Sequence, residues 1–143
     1  MDKKFNLPAN IEAVSLLKFI RTMDGQLVVP IYQREYKWTK NKSVKVWWQD
    51  IKNLFDNNDA HHFAGFIIYN SQQKTYDQNE LLIIDGQQRL TTMFLMLKCI
   101  SDLIQDDKTK EDFKLNYLFK RQKGETRLRL KETNDGIFSK ITF

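Results

Sequence analysis

The sequence predicts one globular domain that mixes short strands with amphipathic helices. Three observations predict it. Leu81-Leu82-Ile83-Ile84 runs into Asp85-Gly86 and on into a sustained apolar pattern over 90–104, which reads as a buried strand, a tight glycine turn and a buried helix. Val44, Trp47, Trp48, Ile51, Leu54 and Phe55 recur at spacings of three and four, one face of a helix over 41–55. Thr126-Arg127-Leu128-Arg129-Leu130-Lys131 alternates with a period of two, the pattern of a half-buried strand.

The remaining elements follow in order. Asn10 is placed to cap a first helix whose apolar face is Ile11, Val14, Leu17 and Phe19 or Ile20, and Asp24-Gly25 ends it. Leu27-Val28-Val29 is a short strand, with Pro30 marking its end or an edge position. The stretch 30–38, Pro-Ile-Tyr-Gln-Arg-Glu-Tyr-Lys-Trp, has no clean period. It mixes aromatics with amides and cations, as binding loops do; aromatics in a loop also plug cores, and the pattern leaves both uses open. The adjacent tryptophans of the 41–55 helix fit core packing better than base stacking. Asn57-Asn58-Asp59 is a turn. Residues 61–69 read as a strand, with Gly65 marking close approach by a backbone or ligand, and 71–79 as a polar hairpin connection. The long helix extends to about Gln105, and 106–110 is a solvated linker. Phe113, Leu115, Tyr117 and Phe119 alternate like a strand yet follow an acidic helix-start signal, so both readings stand. Residues 121–125 and 133–136 are turns.

The chain has 143 residues, enough for one domain with a real core. A hydrophobic fraction of 41% and an aromatic fraction of 13% exclude a disordered chain. The formal net charge of +5 permits a nucleic-acid or nucleotide partner without demanding one. Cys99 stands alone, so no intrachain disulfide forms, which fits a reducing cytoplasm. No signal peptide opens the chain and no apolar run is long enough to span a bilayer, so a cytoplasmic protein with no membrane partner is expected. The end at Ile141-Thr142-Phe143 looks like a cut within a longer protein.

The 81–92 junction is where the chemistry concentrates. The first N–H groups of a helix have no backbone partner, and the helix dipole places partial positive charge there, which makes an anion site. Gly86 lets a ligand approach the backbone, Gln87 and Gln88 add amides, and Arg89 adds a fork suited to phosphate or carboxylate. The pattern has a simpler use: Asp85 followed three residues later by Gln88 is a capping box, which needs no ligand. Arg89 shares a helical face with Met93, Met96 and Ile100. A guanidinium heading an apolar stripe requires an anionic partner, either a protein carboxylate or a ligand phosphate; the sequence does not choose.

Other chemistries are poorly supported. None of the 5 glycines belongs to a Walker A loop, and there is no Gly-x-Ser-x-Gly elbow. His61 and His62 are adjacent, so on a strand they point to opposite faces, with no Cys/His cluster for zinc; one of them can still reach a cleft. Asp24 with Glu35-Tyr36-Lys37 formally resembles a metal-nuclease pattern that arises often by chance. Arg127, Arg129 and Lys131 form a basic strip that contacts phosphates or serves as a solvated, charge-protected edge.

Three blocks occur together and in order: Pro30-x-Tyr32-Gln33-Arg34-x-Tyr36-x-Trp38, then Phe63-x-Gly65, then Ile83-Ile84-Asp85-Gly86-Gln87-Gln88-Arg89-Leu90-Thr91-Thr92. In these the chain resembles the N-terminal domain of GmrSD-type modification-dependent restriction enzymes, domain-of-unknown-function family 262, over nearly its whole length, with 128–138 resembling the family's strand and Asn-Asp-x-x-Phe segment. The resemblance implies an α+β fold with a ParB/sulfiredoxin-like core, a small mixed sheet packed by helices, as a single domain over 1–143 that stops short of the family's full N-terminal domain. It implies a nucleotide-binding, NTP-hydrolysing sensor that gates DNA cleavage in bacterial phage defence. The cutter is usually a separate His-Asn-His-type nuclease domain or subunit, with nothing like it in this chain.

On that resemblance, Gly86, Gln87, Gln88 and Arg89 form the phosphate cradle. Asp85 holds a divalent metal such as magnesium or orients a water, and Asp85 and Arg89 are the catalytic pair. Gln33 and Arg34 close the pocket or touch DNA. Tyr32 and Trp38 stack on a base or pack the loop, and Arg127 and Arg129 join them in contacting DNA. The alternative is a non-catalytic DNA-binding sensor whose pocket holds a backbone phosphate or modified phosphate. Either reading leaves room for a homo-oligomer.

Overall fold

The apolar run ending in Ile84 and the helix behind it form the centre of the fold. The structure, a computed structural model, describes residues 13–57, 62–75, 78–120 and 124–130. In chain order these form α1 (Leu16–Thr22), β1 (Gln26–Val29), α2 (Lys45–Asp56, entered through a π-type turn over Lys40–Val44), β2 (Ile68–Thr75), β3 (Gln78–Asp85), α3 (Gln87–Leu103), α4 (Asp107–Tyr117) and β4 (Leu128–Leu130). The strands make one mixed sheet in the order β2-β3-β1-β4. β2 is antiparallel to β3, while β3 and β4 each run parallel to β1. The fold is α+β.

β1 is central, so all four of its residues are buried, and it stops at Val29 where Pro30 would remove a ladder donor. Its neighbours supply Leu81, Ile83, Leu128 and Leu130 to the core. α3 lays Leu90, Met93, Phe94 and Leu97 onto the sheet, and Ile20 of α1 and Leu118 after α4 complete the cluster. Arg89 therefore borders the core face and does not head it: Met93 is buried, but Ile100, on its side of the helix, is exposed.

Several expectations are corrected. α1 begins at Leu16, with Ser15 Oγ accepting from Lys18 N–H as its cap; the Asn10 cap lies outside the described residues, as do His61, Lys131 and the 133–136 turn. The polar stretch from Ser71 is strand, not connection, because it forms the sheet edge. Residues 70–74 are exposed there, and backbone pairing with β3 holds them without an apolar pattern. Residues 62–67 form no strand; Gly65 takes φ +97°, which breaks the pleat. Asp106 is no linker residue but the cap of α4, its carboxylate accepting from Thr109 N–H at 2.7 Å. That cap decides the ambiguous stretch in favour of helix as far as Tyr117, beyond which Phe119 makes an isolated antiparallel bridge to Thr126. Among the described residues no helix is long and apolar enough to cross a membrane.

Candidate functional site

The turn between β3 and α3 has a glycine for two separate reasons. Gly86 sits at φ +92°, where L side chains are strained. A Cβ there would also lie 2.9 Å from the Phe66 carbonyl oxygen and 3.2 Å from Ile67 Cα. The capping box does not form: Asp85 Oδ1 accepts from the neighbouring Gly86 N–H at 2.7 Å, and no side chain caps α3. The first intrahelical bond is Leu90 N–H to Gly86 O at 3.0 Å. The N–H groups of Gln87, Gln88 and Arg89 thus precede the helical ladder, at the positive end of a 17-residue dipole.

The side-chain amides of the motif turn to the 30–38 loop. Gln87 is buried and its Nε2 donates to Arg34 O at 2.7 Å. Gln88 Nε2 donates to Glu35 O at 3.1 Å and its Oε1 accepts from Lys37 N–H at 2.8 Å. Thr92 Oγ1 donates to Gln88 O and pairs with Tyr36 OH, both at 2.8 Å. Gln33 Nε2 returns the contact, donating to Ile84 O at 3.0 Å. Two motifs far apart in sequence therefore interlock, and an irregular loop gains the backbone partners that its lack of secondary structure denies it. The amides of Gln33, Gln87 and Gln88 are engaged within the chain. What the turn presents to an anion is backbone N–H and Arg89.

Arg89 lies on the opposite side of the turn. Its Nη1 donates to Phe66 O at 3.3 Å, and its guanidinium covers Gly65, where a Cβ would meet Nη1 at 2.6 Å and Cζ at 2.7 Å. This explains the glycine of Phe63-x-Gly65: the residue is bare so that the guanidinium can lie on it. Among the described residues Arg89 forms no ion pair; the four pairs found join His62–Asp50, Lys74–Glu80, Lys98–Asp102 and Arg129–Glu80. Of the two partners open to it in the sequence, no protein carboxylate among the described residues takes the role.

Arg89 forms part of the wall of an open cleft of about 660 Å³, opposite residues of α2 and its entry turn. Trp38, Trp47 and Phe63 give it aromatic walls, and Lys42, Asp50 and His62 give it charge. His62 Nε2 stands 3.7 Å from Asp50 Oδ2. A second, smaller cleft of about 150 Å³ lies on the other side of the α3 terminus, lined by Gln33, Arg34, Tyr36, Gln87 and Gln88 among others. The structure thus brings Trp38 to Arg89 in one cleft and gathers Gln33, Arg34, Gln87 and Gln88 at the other. Asp85 lines neither cleft, and Tyr32 stands in solvent at 73% exposure.

The basic strip on the last strand is corrected. Arg127 is buried, its guanidinium donating to Ile20 O at 2.8 Å and to Leu115 O at 3.5 Å. Arg129 pairs with the buried Glu80 carboxylate. Both cations tie the sheet to its helices or neighbouring strands and do not form a solvent-facing face. Sequence reasoning also missed Lys42, Trp47 and Asp50 as cleft residues. A signal existed for Asp50: it stands three residues after Trp47, an acid at the border of the helix's apolar stripe.

The family model of the GmrSD restriction endonuclease N-terminal domain matches residues 15–142. No curated protein matches the chain.

Proposed function

The chain belongs to the GmrSD restriction endonuclease N-terminal domain family, and we propose that in a restriction system it is the nucleotide-binding, NTP-hydrolysing regulatory domain. The observation that carries this reading is Arg89. A half-buried guanidinium without an ion-pair partner among the described residues faces a cleft beside a helix N-terminus. Desolvating a charge is costly unless a counter-charge arrives, and the fork matches phosphate oxygens. Trp38, Trp47 and Phe63 offer faces on which a nucleobase stacks.

A magnesium ion would arrive with the nucleotide rather than be held by the chain alone. Among the described residues no three His, Cys, Asp or Glu groups cluster, and magnesium typically takes one or two protein carboxylates with phosphates and waters completing its shell. Asp85, beside the turn but lining neither cleft, would reach that ion through a water rather than directly. When bound, the ion would offset charge on the phosphates. Gln87 and Gln88 would contribute backbone N–H to the cradle, while Gly86, whose own N–H is held by Asp85, leaves room for the ligand to approach. DNA and a nuclease domain or subunit are the partners through which nucleotide turnover would be felt.

A second reading is favoured by the loop surface. Tyr32, Arg34 and Lys37 are exposed on the segment that Gln87 and Gln88 hold, a composition suited to DNA phosphates and bases. On that reading the domain is a DNA sensor without catalysis, and affinity for duplex falls steeply with salt. Titration with GTP, CTP, UTP and ATP in the presence of magnesium, for wild type and Arg89→Ala, separates the two. Nucleotide binding lost in the variant supports the first; salt-sensitive duplex binding without nucleotide binding supports the second.

A further inference from the structure

We propose that His62 is the general base of nucleotide hydrolysis in this cleft, positioned by Asp50. The proposal rests on the reading of the cleft as a nucleoside triphosphate site. Hydrolysis needs cations on the phosphates and a base for the attacking water. The cleft collects both kinds of group from different elements. Arg89 of α3 and Lys42 of the π-type turn are the cations, while Asp50 of α2 and His62 of the 62–67 loop are the acid–base pair. Asp85, the candidate that the sequence offered, lines neither cleft, and one of its oxygens is held by Gly86 N–H. His62 is the one imidazole among the described residues, and it stands 3.7 Å from a carboxylate oxygen. Long contacts of this kind tighten when substrate fills a site.

The division of labour follows from the geometry. Asp50 faces Nε2 and so favours the tautomer with its proton there, which leaves the Nδ1 lone pair as the base. Water attacks the terminal phosphorus as Nδ1 takes its proton. The new P–O bond forms while the bond from phosphorus to the bridging oxygen breaks. Nucleoside diphosphate leaves with that electron pair, its charge offset by Arg89 and Lys42. His62 is then a catalytic residue and Asp50 a positioning residue.

Both side chains are about 40% exposed, so substitutions there are compatible with folding. The full chain, with His62→Asn and Asp50→Asn variants, is titrated with GTP, CTP, UTP and ATP plus magnesium, and inorganic phosphate release is followed from pH 5 to 9. The expected result is nucleotide affinity within about threefold of wild type in both variants. Turnover falls by roughly 10²–10⁴-fold in His62→Asn, the usual share of a general base, and KM stays put. The rise of rate with pH on the acid side disappears in His62→Asn and survives at lower kcat in Asp50→Asn, where the base remains but is no longer held; the other charged groups lining the cleft, Lys42 and Arg89, are kept. Wild-type turnover in His62→Asn overturns the assignment and leaves the nucleotide site intact. Binding without turnover by wild type does the same. Absence of nucleotide binding by folded wild type overturns the underlying site reading, and this assignment with it.

Discussion

In Gly65→Ala a methyl carbon would stand 2.6 Å from Arg89 Nη1 and 2.7 Å from Cζ, at a backbone φ of +97°. Two costs follow, and they fall on different observables. The left-handed backbone strains an L residue by about 1–2 kcal/mol, which lowers the melting temperature of a domain of this size by roughly 3–7 °C. Ordinary carbon contacts lie at about 3.5–4.0 Å. The far end of the Arg89 side chain must therefore retreat by about 1 Å, while the backbone has no reason to move. Charge-assisted hydrogen bonds to phosphate need donors within roughly 2.7–2.9 Å, so a shift of that size removes them. At about 1.5–3 kcal/mol for a hydrogen bond to a charged group, nucleotide affinity falls by roughly 10- to 150-fold. Titration calorimetry with nucleotide and magnesium, run beside a thermal melt, reads both. A variant that melts lower as stated but binds nucleotide as tightly as wild type refutes the placement of phosphate on Arg89. One that melts unchanged refutes the strain argument.

Gln87→Ala removes the donor to the Arg34 carbonyl; a loss of about 1–3 kcal/mol and faster amide exchange confined to the 30–38 loop are expected. Phe94→Ala opens the core under α3, where Phe94 is 2% exposed, and should cost about 3–5 kcal/mol by urea denaturation. Glu80→Ala strips Arg129 and Lys74 of a shared carboxylate, and a destabilisation of about 3 kcal/mol, typical of breaking a buried pair, checks that Arg129 serves the sheet. Hydrogen bonds from Thr109 hold the Asp106 carboxyl below its ordinary value of 3.8. A depressed folded pKa stabilises the fold above the unfolded value, and the gain disappears as pH falls through the folded one. Urea midpoints of wild type should therefore drop on acidification below about pH 4 more steeply than those of Asp106→Asn.

The fold was legible where burial wrote a period into the sequence. Leu81 and Ile83 announce β3, Leu90, Phe94 and Leu97 announce α3, and both stand where the pattern puts them. It was illegible where backbone bonds replace burial. Ser71 to Lys74 are polar and solvent-facing, yet they are strand because β3 supplies their partners. Arg127 reads as surface because alternation assigns it the face opposite Leu128. The structure buries it instead, since the Ile20 and Leu115 carbonyls accept its protons. At the candidate site, Gly86 and Arg89 were readable from a local motif. The interlock of Gln87, Gln88 and Tyr36 was not, because it joins side chains to the carbonyls, amides and hydroxyls of a distant segment. The His62–Asp50 pair was hidden for the same reason, its partners coming from a loop and α2.

Nucleotide titration of the chain with Arg89→Ala and Arg89→Lys in parallel goes most directly to the central claim. Binding by wild type, none by Arg89→Ala, and weakened binding by Arg89→Lys, which keeps the charge but loses the fork, is the predicted result. All three proteins should melt within a few degrees of one another, since among the described residues Arg89 makes a single side-chain hydrogen bond, at 3.3 Å. Equal nucleotide affinity in all three would contradict the claim, and the Arg89 guanidinium beside the α3 terminus would then have no part in phosphate binding.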